Sequence, residues 1–304
     1  MSFDPAAPVV ARQALPRPDN FRGLFLMGLA FFIFAAADVQ AKLLTGHFHP
    51  LQVAWTRQAG LLAGAAVIIA MQGPSVFRTQ RPGLQVLRGV LAVISSTFFV
   101  FALGYVALAD AVAVTFVAPF MVTILGALIL REKVGIRRWS AVAAGFAGTL
   151  IVIRPGFGVI HPAVLLVVLA ATAFALRQIV SRLLATSDRT VTTVAYTSFA
   201  SVLLLTLPLP FYWSMPQSGW EILLLLGMAS CAGIGELVMI KALETTQAIV
   251  LAPVHYTLII WATFYGWMIF GQLPDRWTWL GEAIIVATGL YLIHREWKLS
   301  KIKR

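Results

Sequence analysis

Residues 111–130 read AVAVTFVAPFMVTILGALIL, twenty positions with no charge and Pro119 inside, closed at once by Arg131, Glu132, Lys133, Arg137 and Arg138. At 1.5 Å rise per residue, roughly 20 apolar residues cross a hydrocarbon core about 30 Å thick. The stretch is therefore expected to be a transmembrane helix. Residues 249–270 share its features: an Ala252-Pro253 pair, a late Gly266 and a polar end at Gln272. Two such stretches in one chain suggest a duplication.

The bulk composition agrees with a membrane protein. Of 304 residues, 60% are hydrophobic and 12% charged, with mean hydropathy +0.86, whereas a soluble domain runs at about 45–50% apolar and 25% charged. The 23 Lys and Arg against 12 Asp and Glu do not form the single basic surface of a nucleic-acid binder. They sit in short gaps between apolar runs. Cys231 is the lone cysteine, so no intramolecular disulfide forms. Residues 1–20 hold four prolines and no apolar core, and read as a disordered cytoplasmic tail rather than a signal peptide.

Ten apolar segments are predicted, at residues 22–44, 51–72, 86–107, 111–130, 137–154, 162–184, 191–212, 219–242, 247–270 and 278–294. Lipid satisfies no backbone polar group, and nothing alternates with the period of a barrel strand, so all ten are expected to be helices. Lys and Arg in alternate gaps divide 18 against 3 (Lys42, Arg154 and Arg276 on the poorer side). The positive-inside rule then places both termini in the cytoplasm of an inner or plasma membrane.

At a shift of 140–141 residues, Phe34-Ala35 matches Phe174-Ala175, Lys42-Leu43-Leu44 matches Arg182-Leu183-Leu184, Gly126 matches Gly266, and Gly148 matches Gly289. Five helices per half is an odd number, so the halves would insert in opposite senses. Such inverted repeats build transporters with a midplane site between the halves. The expected organisation is a first repeat over 21–156, a second over 157–296, and a basic cytoplasmic tail over 297–304.

These residues resemble those of the EamA-type drug/metabolite transporter superfamily. The resemblance is carried by Lys42-Leu43-Leu44, His49-Pro50…Trp55-Thr56-Arg57, Ala118-Pro119…Leu130-Arg131-Glu132-Lys133, Gly145…Gly148 and Arg154-Pro155-Gly156. In the second half it continues through Lys241-Ala242-Leu243, Ala252-Pro253-Val254-His255-Tyr256-Thr257, Gly266-Trp267…Phe270-Gly271, Pro274-Asp275 and Gly289-Leu290-Tyr291-Leu292. It implies a ten-helix carrier of small organic metabolites, similar among subgroups to amino-acid exporters of the YddG kind. Gln272 stands where that family usually has Glu, and Glu236 where a histidine is expected.

Charges inside a bilayer are costly, so they face the bundle interior or a cavity. Asp38 and Lys42 are four residues apart on one helix face and suit a pair, with snorkelling of Lys42 to the interface as the alternative. Arg57 and Arg177, the latter beside Gln178, each suit a substrate carboxylate or a structural pairing with Asp38 or Glu236. Glu236 lies in an apolar run where Gly227, Cys231 and Gly235 recur every fourth residue, a spacing that lets helices approach closely. It is the candidate for proton coupling, with a permanent ion pair as the alternative. His255 and Tyr256 follow Pro253, and Thr115 and Thr123 flank Pro119, giving two polar stretches at helix kinks. Of the tryptophans, Trp55, Trp261 and Trp267 lie deepest, and the substrate-binding candidates among them are Trp55 and Trp261.

The expected binding set is thus Asp38, Trp55, Arg57, Thr115, Pro119, Arg177, Gln178, His255, Tyr256 and Trp261, with Glu236 for coupling. Segments one to four and six to nine should line the path, while five and ten sit at the periphery. No metal-ligand cluster, nucleotide fingerprint or catalytic constellation occurs, so the expectation is a non-enzymatic carrier without cofactor or metal. Its partners would be a small-molecule substrate and membrane lipid, with no nucleic acid. Oligomeric state does not follow from the sequence.

Overall fold

A computed structural model describes residues 20–131, 135–154, 161–185, 187–246 and 248–302. The expected N-terminal tail falls almost wholly outside them. Among the described residues every regular element is helical. Six helical stretches are long and apolar enough to cross a membrane, and two shorter apolar helices join them. The chain is an all-α, multi-pass membrane protein.

The first half holds α1 (Asn20–Leu44), α2 (Pro50–Gln72), α3 (Pro82–Leu103), α4 (Leu108–Thr115), α5 (Ala118–Ile129) and α6 (Ile136–Ile153). The second holds α7 (Val164–Leu184), α8 (Thr190–Thr206), α9 (Gly219–Thr245), α10 (Ala248–Leu251), α11 (Thr257–Phe270) and α12 (Arg276–Ile302). The two proline-containing stretches are broken, not merely bent. Proline has no N–H to give the preceding turn, so α4 stops at Thr115 and α5 restarts at Ala118, while Ala252–Tyr256 tightens to a 3-10 turn. Asp110, which falls between the predicted third and fourth segments, is already helical: it lies in the first turn of α4, where a helix N-terminus favours an acid. The expected tail from 297 continues α12 as helix to Ile302.

Packing follows residue size. Gly60 and Gly64 of α2 cross α9 so closely that a Cβ on Gly60 would strike the Ala229 carbonyl and one on Gly64 would lie 2.8 Å from the Gly233 oxygen. The other face of α9 meets α1: Gly235 takes the Phe34 ring, Gly227 the Gln40 amide, and Gln40 Nε2 donates to Cys231 Sγ at 3.5 Å. Large apolar side chains such as Phe21, Met71, Leu165 and Ile260 point outward, while Asp38, Gln52, Gln85, Thr123 and Glu282 are buried. That arrangement suits a lipid exterior and a polar-seeded interior. α1 packs on α9 and α11, α3 on α7 and α8, α2 on α8 and α9, α5 on α7, α4 on α11, and α6 on α12.

Each end of the bundle carries a strap between the halves. At the end bearing the basic loops, the Asp188 carboxylate accepts from the Thr79 hydroxyl, from Gln85 Nε2 at 2.7 Å and from the Gln80 N–H at 3.2 Å. Slight burial pushes this carboxyl up, but those hydrogen bonds outweigh it and hold Asp188 below the usual aspartate range. At the far end Gln52 Nε2 donates to the Ser214 carbonyl at 2.8 Å and its Oε1 accepts from the Ser214 N–H at 2.9 Å. His49 stacks on Tyr212 beside them. Arg154, left-handed at φ 45°, is held there by a 2.6 Å ion pair with Asp275. A little burial raises the Asp275 carboxyl; bonds from the Thr278 N–H and from Arg154 override it and lower it.

Candidate substrate cavity

A cavity of about 330 Å³ lies between α1, α9 and α11 and is walled mainly by apolar side chains. A larger one, about 540 Å³, lies where α5, α7, the Ala252–Tyr256 turn and α12 converge. Four predicted residues meet on its wall, Pro119, Gln178, His255 and Tyr256, joined by Phe116, Thr123, Phe174 and Ser181. Both proline breaks therefore face this cavity, where irregular backbone is tolerated at membrane depth. The break at Ala252–Tyr256 sets His255 between two rings, 4.8 Å from Phe31 and 5.3 Å from Phe116, and stacks Tyr256 on Phe116 at 5.1 Å. His255 is exposed, but into the cavity that it lines.

The tenth segment is not peripheral. Gly289, Leu292 and Ile293 of α12 form part of the wall, because the Tyr256 hydroxyl occupies the place that a Cβ of Gly289 would need.

Beside the cavity stands a charged cluster. Arg177 lies about two turns from the end of α7, its guanidinium 4.7 Å over the Phe174 ring that lines the cavity. Arg177 and Arg88 both act electrostatically on Glu236, yet among the described residues neither forms an ion pair with it. Arg88 instead donates to the Ser181 hydroxyl at 2.8 Å, the Thr193 carbonyl at 3.3 Å and the Thr197 hydroxyl. Arg177 Nε is buried without a hydrogen-bond partner among the described residues. Phe34, which the 140-residue shift matches to Phe174, packs on Gly235 next to Glu236. The cluster is thus flanked by two repeat-related phenylalanines.

Other candidates lie elsewhere. Arg57 donates to Asp38 at 2.7 Å, nearer the far end of the bundle, and the pair is largely shielded. Lys42 does not pair with Asp38. Its ammonium donates to the carbonyls of Leu103 at 2.9 Å and Val106 at 2.5 Å and lies over Phe270, satisfying the last carbonyl of α3 and one in the turn that follows it. Trp55 donates to the Thr206 hydroxyl at 2.9 Å and meets Trp213 edge-on, so it sits with the far-end loops. Thr115 turns its hydroxyl back to Val112 O at 2.6 Å. Trp261 packs edge-on against Phe32, and its indole N–H is buried without a partner. Trp267 is exposed on the outer surface.

Arg88 was missed because it was counted among the loop charges that set orientation. The signal was present: it falls inside the predicted third segment, two residues past its start.

The EamA-like transporter family profile matches residues 21–154 and again 161–295. The chain belongs to the EamA-like transporter family. It is 26% identical to an S-adenosylmethionine uptake transporter of Rickettsia felis over 284 residues, 92% of this chain and 96% of that one. It is 33% identical to a riboflavin transporter of Vibrio cholerae over 231 residues, covering 75% and 76%. A pseudopaline exporter of Pseudomonas aeruginosa is 25% identical, with 89% and 95% covered. One solved crystal structure, 18% identical, superposes with TM-score 0.63 over 89% of this chain and 97% of its own. The protein is a small-molecule transporter, not an enzyme.

Proposed function

We propose that this EamA-like protein is a secondary carrier of amino-acid-bearing metabolites, ten helices in two oppositely inserted halves that move cargo by alternating access. The observation that carries this reading is the cluster of Arg177, Arg88 and Glu236, opposite charges left unjoined beside an aromatic cavity. A guanidinium binds a carboxylate bidentately, and a carboxylate receives an ammonium. An α-amino carboxylate head would supply both, with Phe116, His255 and Tyr256 taking a flat or apolar side group. S-adenosylmethionine, named for one relative, has this head on a purine nucleoside. Riboflavin, named for another, offers the flat ring without the head.

The two-half architecture is supported by the helix pairing. Exchanging α1 with α7, α2 with α8, α3 with α9, α4–α5 with α10–α11 and α6 with α12 turns most pairings into observed ones, the contact of α2 with α3 being an exception. Thus α1 on α9 becomes α7 on α3, and α1 on α11 becomes α7 on α5. The family profile's two matches divide the chain at the same place. The larger cavity is bordered by Ser181, Arg182 and Ala185 at the C-terminal end of α7 and by Leu292 and Ile293 in the C-terminal half of α12. Those are the ends that the positive-inside rule puts in the cytoplasm of the inner membrane. In this reading the cavity is open inward, while Asp38–Arg57 and Gln52–Ser214 close the far side. Glu236 provides coupling by taking a proton when the cargo's ammonium leaves, and amino-acid export becomes exchange of cargo outward against protons.

The test is counterflow into proteoliposomes with radiolabelled S-adenosylmethionine, aromatic amino acids and riboflavin. Saturable movement of an amino-acid-bearing compound, lost in Arg177→Gln, is expected, and Glu236→Gln should abolish its pH dependence. Movement of riboflavin alone would exchange the head-group assignment for a ring-only one. Conductance without saturation would replace the carrier with a channel.

A further inference from the structure

The search for chemistry outside the cavity leads to α12. Glu282 lies about two turns inside that helix and is only 3% exposed. Neither of its carboxylate oxygens has a hydrogen-bond partner among the described residues. A buried charge in that position is costly unless it is paired. Its electrostatic neighbour is another acid, Asp110 of α4. The two share one seam: Thr278, one turn before Glu282 on the same face of α12, donates its hydroxyl to Asp110 Oδ1 at 3.2 Å.

The nearby cations, Lys42 and Arg154, act electrostatically on Asp110 and not on Glu282. From α6, Arg154 is bound to Asp275 at 2.6 Å. From α1, Lys42 gives its ammonium to the Leu103 and Val106 carbonyls. Arg276, at the start of α12, leans on the Trp277 ring. α11 brings no Asp, Glu, Lys or Arg to the seam.

We infer that Glu282, with Asp110 beside it, is a proton-exchange site at the end of the bundle away from the basic loops. The compensating charge that Glu282 lacks is supplied by a proton with no further ligands, whereas a hard metal ion needs about six to eight oxygen donors. α4 and α12 belong to different halves of the chain, so parting them hydrates both carboxyls and lets the proton leave. On the alternating-access reading proposed above, this ties protonation of Glu282 to the conformational cycle, separately from Glu236.

Infrared difference spectroscopy on the purified full-length chain tests the site without requiring transport. In choline buffer at neutral pH, the wild type should show the carbonyl stretch of a neutral carboxylic acid, shifted in deuterated water. Glu282→Gln should lose that band and Glu236→Gln should keep it. If Glu282→Gln does not assemble, Glu282→Asp should retain the band at a displaced frequency. Absence of the band in the wild type, its survival unaltered in Glu282→Gln, or its loss when sodium replaces choline at constant pH would overturn the proposal. A protein that moved none of the tested cargoes would leave this spectrum unchanged, so the two readings fail independently.

Discussion

Two charged groups sit at comparable depth from opposite ends of the bundle, and they have opposite characters. Asp38 and Arg57, each about two turns from a helix end, meet at 2.7 Å with only 6% and 19% of their side chains exposed. Glu236, Arg88 and Arg177 are enclosed near the other end, yet Glu236 touches neither arginine and Arg177 keeps a buried Nε–H unpartnered. The same residue types therefore perform different work. In a buried pair that is complete each charge depends on the other, because removing one partner strands the other. An incomplete set leaves charge for a ligand to complete.

The strongest way to break this comparison is at the complete pair. Asp38→Ala strands Arg57 and should cost about 3–5 kcal/mol of stability, read as a lowered denaturation midpoint in detergent. The double variant Asp38→Ala/Arg57→Leu should recover most of that loss, and a double variant no better than the single would show that the loss does not come from stranding Arg57. At the incomplete cluster the order of effects reverses. Arg177→Gln should leave the midpoint nearly unchanged and weaken cargo binding by about 100-fold, the equivalent of roughly 2.7 kcal/mol, measured by ligand-dependent thermal shift.

A smaller effect tests the frame that holds both groups in place. Gly60→Ala puts a methyl into the Ala229 carbonyl, and forcing α2 off α9 should cost about 1–3 kcal/mol. The smallest effect concerns the strap at the basic end. The Asp188 carboxyl is lowered in the folded protein, so its contribution is fully present above the ordinary aspartate value of about 3.9. It is lost as pH falls through the lower folded value. The midpoint difference between wild type and Asp188→Asn should be constant near neutrality and shrink below about pH 4. A difference that grew on acidification would reverse the assignment.

How far the sequence reached varies by residue. The helical class was legible because apolar length has one solution in lipid, and the Pro119 and Pro253 interruptions were marked by residues that cannot donate. Helix ends were less legible. Asp110 looked like a break because its charge suits water, but a helix N-terminus accommodates it equally well. Arg88 was hidden by the orientation rule, which counts a cation near a segment end without asking which way it points. Glu282 was overlooked because it lies about one turn inside the predicted tenth segment, close to the loop charges Asp275 and Arg276, although the criterion that singled out Glu236 applies to it equally.

The candidate cavity divides the same way. His255, Tyr256, Pro119 and Gln178 were found from kinks and intramembrane polarity, and they converge on one wall. Trp55 and Lys42 satisfied the same criteria, yet they are spent on Thr206 and on the end of α3. Sequence spacing could not separate the two groups, since the partner of each is more than 60 residues away or in the other half of the chain.

Composition and local pattern by themselves determined that this chain is a helical membrane protein, because burial in lipid constrains every backbone group one segment at a time. Which buried charges are closed and which remain open was decided only in three dimensions. Pairing depends on distances between helices that meet across the bundle, and those distances are set by glycine crossings such as Gly60 against Ala229.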